Sequence, residues 1–341
     1  MKALVFSDLH IHNWSAFARL DEDGVNDRLQ DTLLALTVIC GEAASNPGKY
    51  DCVIFAGDLF EVTKLPAEVI ALASRVIEDF GPLGIPVYAI EGNHDQASRA
   101  REIASVEGLR VPDNWFWIGG RVADCAGLKI VGRNYGAPPP QKSADVAVIH
   151  RGVNGAMISE YFAADFEDDL KLEDAGKYAS KLVICGHYHK PQIFRRKSGP
   201  VVLVPGAPLQ HTWGDLGQDR GYWEVEIGDM VSATFHEIEG LPKFVRISDP
   251  GDIDAQAEGN FVELELNPIP GKKELEKLRK KLQEISRGFS IKTKPPEIVR
   301  PPEDRIEVSE TKDLEDIVTD YAEKFGGDAA VGIDLLRRAR S

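Results

Sequence analysis

Short apolar runs ending in glycine, asparagine, aspartate or histidine recur along the chain. Leu4-Val5-Phe6 leads into Ser7-Asp8-Leu9-His10, and Val53-Ile54-Phe55-Ala56 leads into Gly57-Asp58. Val87-Tyr88-Ala89-Ile90 leads into Gly92-Asn93-His94-Asp95, and Val146-Ala147-Val148-Ile149 ends at His150. Leu182-Val183-Ile184-Cys185 delivers Gly186-His187-Tyr188-His189. Apolar stretches of this length read as buried strands, and their polar tips are costly unless paired or bound to a cation. The regularity predicts five strands that deliver their tips to one cavity.

Helical spacing fills the gaps. Leu29, Leu33, Leu36 and Cys40 predict a helix from about Asn26 to Cys40, and Val69, Ala73, Val76 and Phe80 predict one over Pro66 to Phe80. A third helix is expected over 99–108. The two strand-helix-strand units up to residue 95 imply a parallel or mixed sheet. Trp115-Phe116-Trp117 reads as a strand end in preference to a base-stacking platform. Leu128 to Val131 is a further strand, and the acidic stretch Ser159 to Glu173 reads as a solvated cover.

After Pro191 the strands shorten: Gln192 to Arg195, Pro200 to Val204, Tyr222 to Ile227 and Val231 to His236 suggest a meander forming a second sheet. The Asp-, Gly- and Pro-rich stretch from Gly240 to Gly259 reads as a boundary. Beyond it lie a strand (Phe261 to Leu266), a helix (Lys272 to Ile285) and a strand (Phe289 to Lys292), then helical patterns over Leu314 to Phe325 and Gly332 to Ala339. The expected domains are 1–240, a small α+β domain over 241–300, and a helical tail over 301–341 whose apolar face suits docking a partner.

Composition narrows this only in part. An apolar fraction of 43% over 341 residues suits a globular chain of one large and one smaller domain. No stretch is long enough to span a membrane, and Met1 to Asp8 enters a strand at once without a signal-peptide layout. Cys40, Cys52, Cys125 and Cys185 are widely spaced, as in reduced core positions, so a cytoplasmic location is expected. A net charge of −15 argues against a chain that wraps nucleic acid unaided. Between Lys272 and Lys294, however, nine Lys or Arg face three Glu, a local basic surface that can contact DNA.

Asp8, His10, Asp58, Asn93, His150, His187 and His189 are too many ligands for one catalytic cation and suit two that share a carboxylate. Asp58, on the central strand, is the natural bridge. Oxygen and nitrogen donors without thiolates fit Mn²⁺ best, with Mg²⁺, Fe²⁺ or Zn²⁺ as alternatives. Such a pair, about 3.5–4 Å apart, clamps a phosphate and activates water. His94, beside Asn93, is placed to protonate a leaving oxygen, and Asp95 to orient its ring.

Asp8-Leu9-His10, Gly57-Asp58, Gly92-Asn93-His94-Asp95, His150 and Gly186-His187-Tyr188-His189 resemble, in order, the motifs of the calcineurin-like metallophosphoesterases over residues 1 to 190. The resemblance implies an α/β fold: a four-layer sandwich of two mixed β-sheets flanked by helices, with a small α+β capping domain and a helical C-terminal tail. It also implies that Asp8, His10, Asp58 and His189 hold one metal while Asp58, Asn93, His150 and His187 hold the other.

Gly57-Asp58-Leu59-Phe60, Pro205-Gly206-Ala207-Pro208-Leu209-Gln210 and Gly214 to Tyr222 are similar to nuclease subunits of the SbcD type, whose compact viral members have about this length. That similarity implies a duplex exonuclease with single-strand endonuclease activity. It implies work with an SMC-like coiled-coil ATPase in DNA repair, recombination and replication, as a homodimer within a heterotetramer, in the cytoplasm or a virus's host cytoplasm. A small-molecule phosphodiesterase or phosphatase, or a non-catalytic scaffold, are the rival functions. Three positions depart from or extend the pattern. Glu61 stands where many members carry histidine, Arg151 follows His150 and can contact phosphate, and His211 is a candidate substrate contact.

Overall fold

Pairing between the five apolar strands decides where their tips go. The computed structural model describes residues 1–96, 104–142, 144–158, 162–268, 270–293, 313–325 and 328–340. In chain order the first elements are β1 (Lys2–Phe6), α1 (Asp27–Ser45), β2 (Cys52–Phe55), α2 (Ala67–Glu78), β3 (Val87–Ala89) and β4 (Trp115–Trp117). They are followed by β5 (Val122–Cys125), β6 (Leu128–Arg133), β7 (Ala144–His150), β8 (Ala179–Gly186), β9 (Gln192–Phe194) and β10 (Val201–Val204). Next come β11 (Gly221–Ile227), β12 (Val231–Glu237) and β13 (Phe244–Ile247). The chain continues with α3 (Ile253–Gln256), β14 (Phe261–Leu266), α4 (Lys272–Ile285), β15 (Gly288–Thr293), α5 (Leu314–Phe325) and α6 (Ala329–Arg340).

Two six-stranded sheets run in the orders β12-β11-β1-β2-β3-β4 and β5-β6-β7-β8-β10-β9. β1 to β4 pair in parallel, as do β6 to β8, so the loops after β1, β2, β3, β7 and β8 all leave at carboxyl ends. Ligand sites of open α/β sheets form outside such ends.

Side-chain alternation then sorts the layers. Leu4, Phe6, Val53 and Phe55 face Leu29, Leu36 and Ile39 of α1 and Val69, Ala73 and Ile77 of α2. Ala3, Val5 and Ile54 face the other way and pack on Val146, Val148, Leu182 and Ile184 of the second sheet. The outer face of that sheet, including Ile149, Val183 and Val202, is covered by Ala164, Leu170, Ala175 and Tyr178. This is the layered α/β sandwich expected, although the last layer is built from loop and a short 3₁₀ turn over Leu172–Lys177.

Several expectations change. α1 runs on to Ser45, through Gly41, because alanines follow; Asn26 caps it by accepting from the Arg28 and Leu29 amides. The stretch 162–173 is no mere solvated cover, since Ala164 and Leu170 are buried against the sheet. Half of the expected third helix, 99–103, lies outside the described residues, and the other half holds a 3₁₀ turn over Ser105–Gly108. The late strands do not form one meander. β10 and β9 finish the second sheet, whereas β11 inserts antiparallel beside β1 and carries β12 with it. β1 needs a partner on that side to satisfy its backbone, and β11 supplies it.

Two compact units emerge, Met1–Thr293 and Lys294–Ser341. Within the first, β13, β14 and β15 make a parallel sheet under α4, with Ile247, Val262, Leu264 and Leu282 as its core. Arg28 ties this sheet to the large sandwich. Its guanidinium lies 5.6 Å from the Phe244 ring and 5.0 Å from the Phe261 ring, and donates to the carbonyl of His211 at 2.6 Å. Arg287 reaches Asp31 at 2.8 Å and Asp27 at 3.1 Å. In the second unit α5 and α6 pack on each other, with Arg337 of α6 paired to Glu315 of α5 at 2.9 Å. Leu314, Tyr321, Val331 and Leu335 stay exposed. Among the described residues no helix is long and apolar enough to cross a membrane.

Candidate metal centre

All seven expected ligands meet where the carboxyl ends of the two sheets face each other. β1 supplies Asp8 and His10, β2 supplies Asp58, and β3 supplies Asn93, while β7 and β8 supply His150, His187 and His189 from across the sandwich. Asp8, His10, Asp58 and His187 all adopt positive φ, of 54°, 48°, 56° and 108°. Strained backbone of this kind persists where the surroundings over-determine it, commonly at functional sites. Two glycines make room for the approach. A Cβ on Gly92 would fall on the Asp58 carboxylate, and one on Gly186 would meet the Ala56 carbonyl and sit 2.7 Å from His150 Nδ1. Gly92→Ala is therefore expected to cost about 1–3 kcal/mol by overpacking and to weaken cation affinity, as read by denaturant unfolding and calorimetry.

Asp58 is central. Its Oδ2 lies 3.1 Å from His150 Nε2 and 3.7 Å from His10 Nε2, and its Oδ1 accepts the His94 amide at 2.9 Å. Asn93 Oδ1 is 3.1 Å from His150 Nε2 and 2.9 Å from His187 Nδ1. His10 Nε2 and His189 Nε2 stand 3.1 Å apart, and Asp8 Oδ1 is 4.0 Å from His10 Nε2.

Outer partners fix the ring orientations. His150 Nδ1 donates to the Ala56 carbonyl at 2.8 Å, Glu61 Oε2 is 2.7 Å from His10 Nδ1, and Asp215 Oδ1 is 3.3 Å from His189 Nδ1. With the Nδ1 protons committed outward, the Nε2 lone pairs of His10 and His189 face each other. That of His150 faces two oxygens. Lone pairs that converge in this way need a proton or a cation between them, and outward hydrogen bonding is the usual second shell of metal-binding histidines. The residues therefore fit divalent cations. Among the described residues three acid-histidine groups qualify by distance: Asp8, His10 and His189; His10, Asp58 and His94; and Asp58, His150 and His187.

The electrostatics agree. Burial opposes ionisation of Asp58, yet His150 and His10 hold its carboxyl well below the usual range. Burial likewise disfavours a charged His150, but Asp58 overrides it and lifts the ring to about 9. Burial and the neighbouring His150 push His187 down to about 4, so it is neutral at pH 7 and ready to ligate. Asp215 is held far below the usual carboxylate range despite burial, by His189 and by Arg220, which donates to it at 2.6 Å.

The residues flanking the ligands fall differently from expectation. Asp95 does not meet the His94 ring. It is fully buried and accepts the amides of Gly92 at 2.9 Å, Phe60 at 3.0 Å and Leu59 at 3.3 Å, bracing two ligand loops together. Burial and Asp58 raise it to about 7. Glu61 takes the orienting place, its backbone carbonyl accepting from His94 Nδ1 at 2.7 Å and its carboxylate lying 3.6 Å from the same nitrogen. His211 is buried behind His10, stacked on Trp14 with ring centres 5.6 Å apart, so it faces packing and not substrate. Arg151 borders a cleft beside the ligands, its Nη1 donating to the Tyr178 hydroxyl at 3.1 Å and its Nε to the Asp168 carbonyl. Asp215 and Arg220, so close to the centre, had no signal of their own beyond the Gly214 to Tyr222 resemblance.

Comparison with known proteins gives the chain a family. The profile of the family described as calcineurin-like phosphoesterase matches residues 1–191, and the chain belongs to that family. The chain is 25% identical over 270 residues to the DNA double-strand break repair protein Mre11 of Archaeoglobus fulgidus, covering 69% of this chain and 58% of that protein. The Mre11 protein of Methanopyrus kandleri is 22% identical over 225 residues, covering 55% and 48% respectively. The chain thus spans about half the length of these relatives. A crystal structure of a dimetal phosphatase from Danio rerio aligns with a TM-score of 0.41 at 9% identity, over 70% of this chain and 99% of that one.

Divalent cation binding in this family gives the histidine electrostatics a consequence. At pH 7 His150 carries a proton in the cation-free chain, because its folded value lies near 9. Binding must displace that proton. Affinity is expected to rise with pH and level off above about 9, with release of about one proton per His150 site near neutrality. Calorimetry in buffers of different ionisation enthalpy measures the release.

Proposed function

We propose that the chain is a cation-dependent DNA phosphodiesterase, a duplex exonuclease with single-strand endonuclease activity that serves as the nuclease subunit of an SMC-like ATPase complex in DNA repair and recombination. The observation that carries this reading is Asp58, a buried carboxylate 3.1 Å from His150 and 3.7 Å from His10, between two clusters of inward lone pairs. Asp8, His10, Asp58 and His189 would hold one cation and Asp58, Asn93, His150 and His187 the other, with Mn²⁺ the preferred ion. The chemistry such a pair supplies is a clamp on phosphate and a water of lowered pKa.

The chain's own groups do the rest. His94 Nδ1 donates a hydrogen bond to the Glu61 carbonyl at 2.7 Å, which turns Nε2 toward the place of the leaving oxygen as its proton donor. Lys272, Lys273, Lys277, Arg279 and Lys280 of α4 have no ion pair among the described residues, whereas Lys281, Arg287 and Lys292 are paired. That free basic face suits duplex phosphates. The exposed side chains of α5 and α6 suit the ATPase, and the assembly is a homodimer of this chain within a heterotetramer, in the cytoplasm.

The test is digestion of 3′- and 5′-labelled linear duplex in Mn²⁺, with and without the ATPase, beside hydrolysis of bis(p-nitrophenyl) phosphate. Shortening of the duplex supports the reading. Hydrolysis of the reporter alone favours a small-molecule phosphodiesterase, and inactivity on both favours a scaffold.

A further inference from the structure

Two cysteines from different sheets meet at the end of the sandwich remote from the ligands. Cys52 opens β2 of the first sheet and Cys125 closes β5, an edge strand of the second, and both lie in the core between the sheets. Cys125 Sγ sits 3.7 Å from the Asp51 carbonyl oxygen, on the peptide link that enters Cys52. The two thiols hydrogen-bond to each other. Cys40 and Cys185 lie in other parts of the core, Cys40 on the Asp79 carbonyl at 3.4 Å and Cys185 under the outer face of the second sheet.

The two members of the pair are not equivalent. Cys52 is wholly buried, whereas Cys125 keeps a trace of exposure and stands between exposed Asp124 and Ala126. A turn follows at once, with φ of 47° at Ala126 and 79° at Gly127. A small solute reaches Cys125 first. Hydrogen bonding with the Cys52 thiol holds Cys125 below the usual thiol range in spite of burial, and the same bond, with burial, pushes Cys52 well above it. The thiolate is the reactive form of cysteine, so Cys125 is the nucleophile and Cys52 waits behind it as the thiol.

We propose that Cys52 and Cys125 are an oxidisable pair that closes to a disulfide between the two sheets, with hydrogen peroxide as the oxidant. In the first step the Cys125 thiolate attacks peroxide: an S–O bond forms, the O–O bond breaks, and hydroxide leaves with the electron pair and takes up a proton as water. In the second, the Cys52 sulfur attacks the Cys125 sulfenic acid. The S–S bond forms, the S–O bond breaks, and the oxygen leaves with the Cys52 proton as a second water. Two thiols thus lose two electrons to one peroxide, and the sulfurs close from contact to about 2.0 Å.

The staple joins the sheet that carries Asp8, His10, Asp58 and Asn93 to the sheet that carries His150, His187 and His189. It sits at the amino end of β2, and the ligands gather at carboxyl ends, so its effect falls on the stability of the sandwich. A cross-link between segments so distant in sequence restricts the unfolded chain. Capture by Cys52 also stops Cys125 at the reversible stage of oxidation. None of this depends on the substrate of the metal centre.

The test treats the reduced full-length chain with a severalfold molar excess of hydrogen peroxide, blocks remaining thiols under denaturing conditions, and maps the peptides by mass spectrometry beside a thermal melt. Wild type is expected to yield a peptide pair joined through Cys52 and Cys125 within one molecule, lighter by two hydrogens and released by dithiothreitol, with Cys40 and Cys185 still free. The oxidised chain is expected to melt about 5–10 °C higher than the reduced one. In Cys52→Ala, Cys125 is expected to be trapped by dimedone as the sulfenic acid, and in Cys125→Ala, Cys52 is expected to stay reduced. A folded wild type that keeps all four thiols free, or links other cysteines, overturns the pair. Equal oxidation of Cys52 in Cys125→Ala overturns the order of attack, and a link that leaves the melting temperature unchanged or lower overturns the staple. The wild-type measurement stands even where a variant fails to fold.

Discussion

Asp58→Asn is expected to abolish phosphodiester hydrolysis and to reduce cation binding at both clusters at once. One carboxylate serves His150 and His10 from its Oδ2 and positions the His94 loop from its Oδ1. An amide keeps the shape but halves the oxygen donors and removes the charge. Loss of an outer-shell partner alone typically costs about 10–100-fold in metal affinity or activity. Loss of a shared ligand is expected to exceed that. Folding survives, because His150, held charged by Asp58, can shed its proton once that charge is gone. Calorimetric titration with Mn²⁺ and a thermal melt separate the two effects: affinity collapses while the melting temperature moves little.

His94→Asn is expected to give the opposite profile. His94 is tied to Glu61 and hangs at the edge of the cluster, half-exposed, with its backbone amide and not its ring on Asp58. Its removal would take away the proposed proton donor and leave the candidate ligands in place. Turnover is expected to fall about 10²–10⁴-fold with cation binding within a factor of a few of wild type. A leaving group of low pKa, such as p-nitrophenolate, needs less protonation, so the defect is expected to be smaller on the reporter than on DNA. Equal defects on both would move His94 from proton donor to ligand or positioning group.

Much of the centre was legible because each candidate ligand sits at or just beyond the end of an apolar run. That pattern is local, and it fixes both the strand and the side of the sheet from which the tip emerges. What it cannot carry is pairing between distant segments. β11 looks like any short strand, and only the free side of β1 decides that it joins the first sheet. β13, four residues within a Gly-, Asp- and Pro-rich stretch, offers no pattern and gains strand form from β14.

The same limit governs side-chain direction. Asp95 follows His94 in sequence, which suggested a pair, but the turn aims its carboxylate inward to three amides while Glu61, 33 residues earlier, meets the ring. His211, a candidate substrate contact by its place in the loop, is drawn into the core by Arg28 and Trp14. The cleft beside the ligands is assembled from Gln96, the loop after β6 and the ends of β7 and β8. No single stretch announces it.

Crystals soaked in Mn²⁺ and measured at its absorption edge test the central claim most directly. Two anomalous peaks about 3.5–4 Å apart are expected, one among Asp8, His10 and His189, the other among Asn93, His150 and His187, with Asp58 bound to both. A single peak, or two with Asp58 turned away from either, would contradict it.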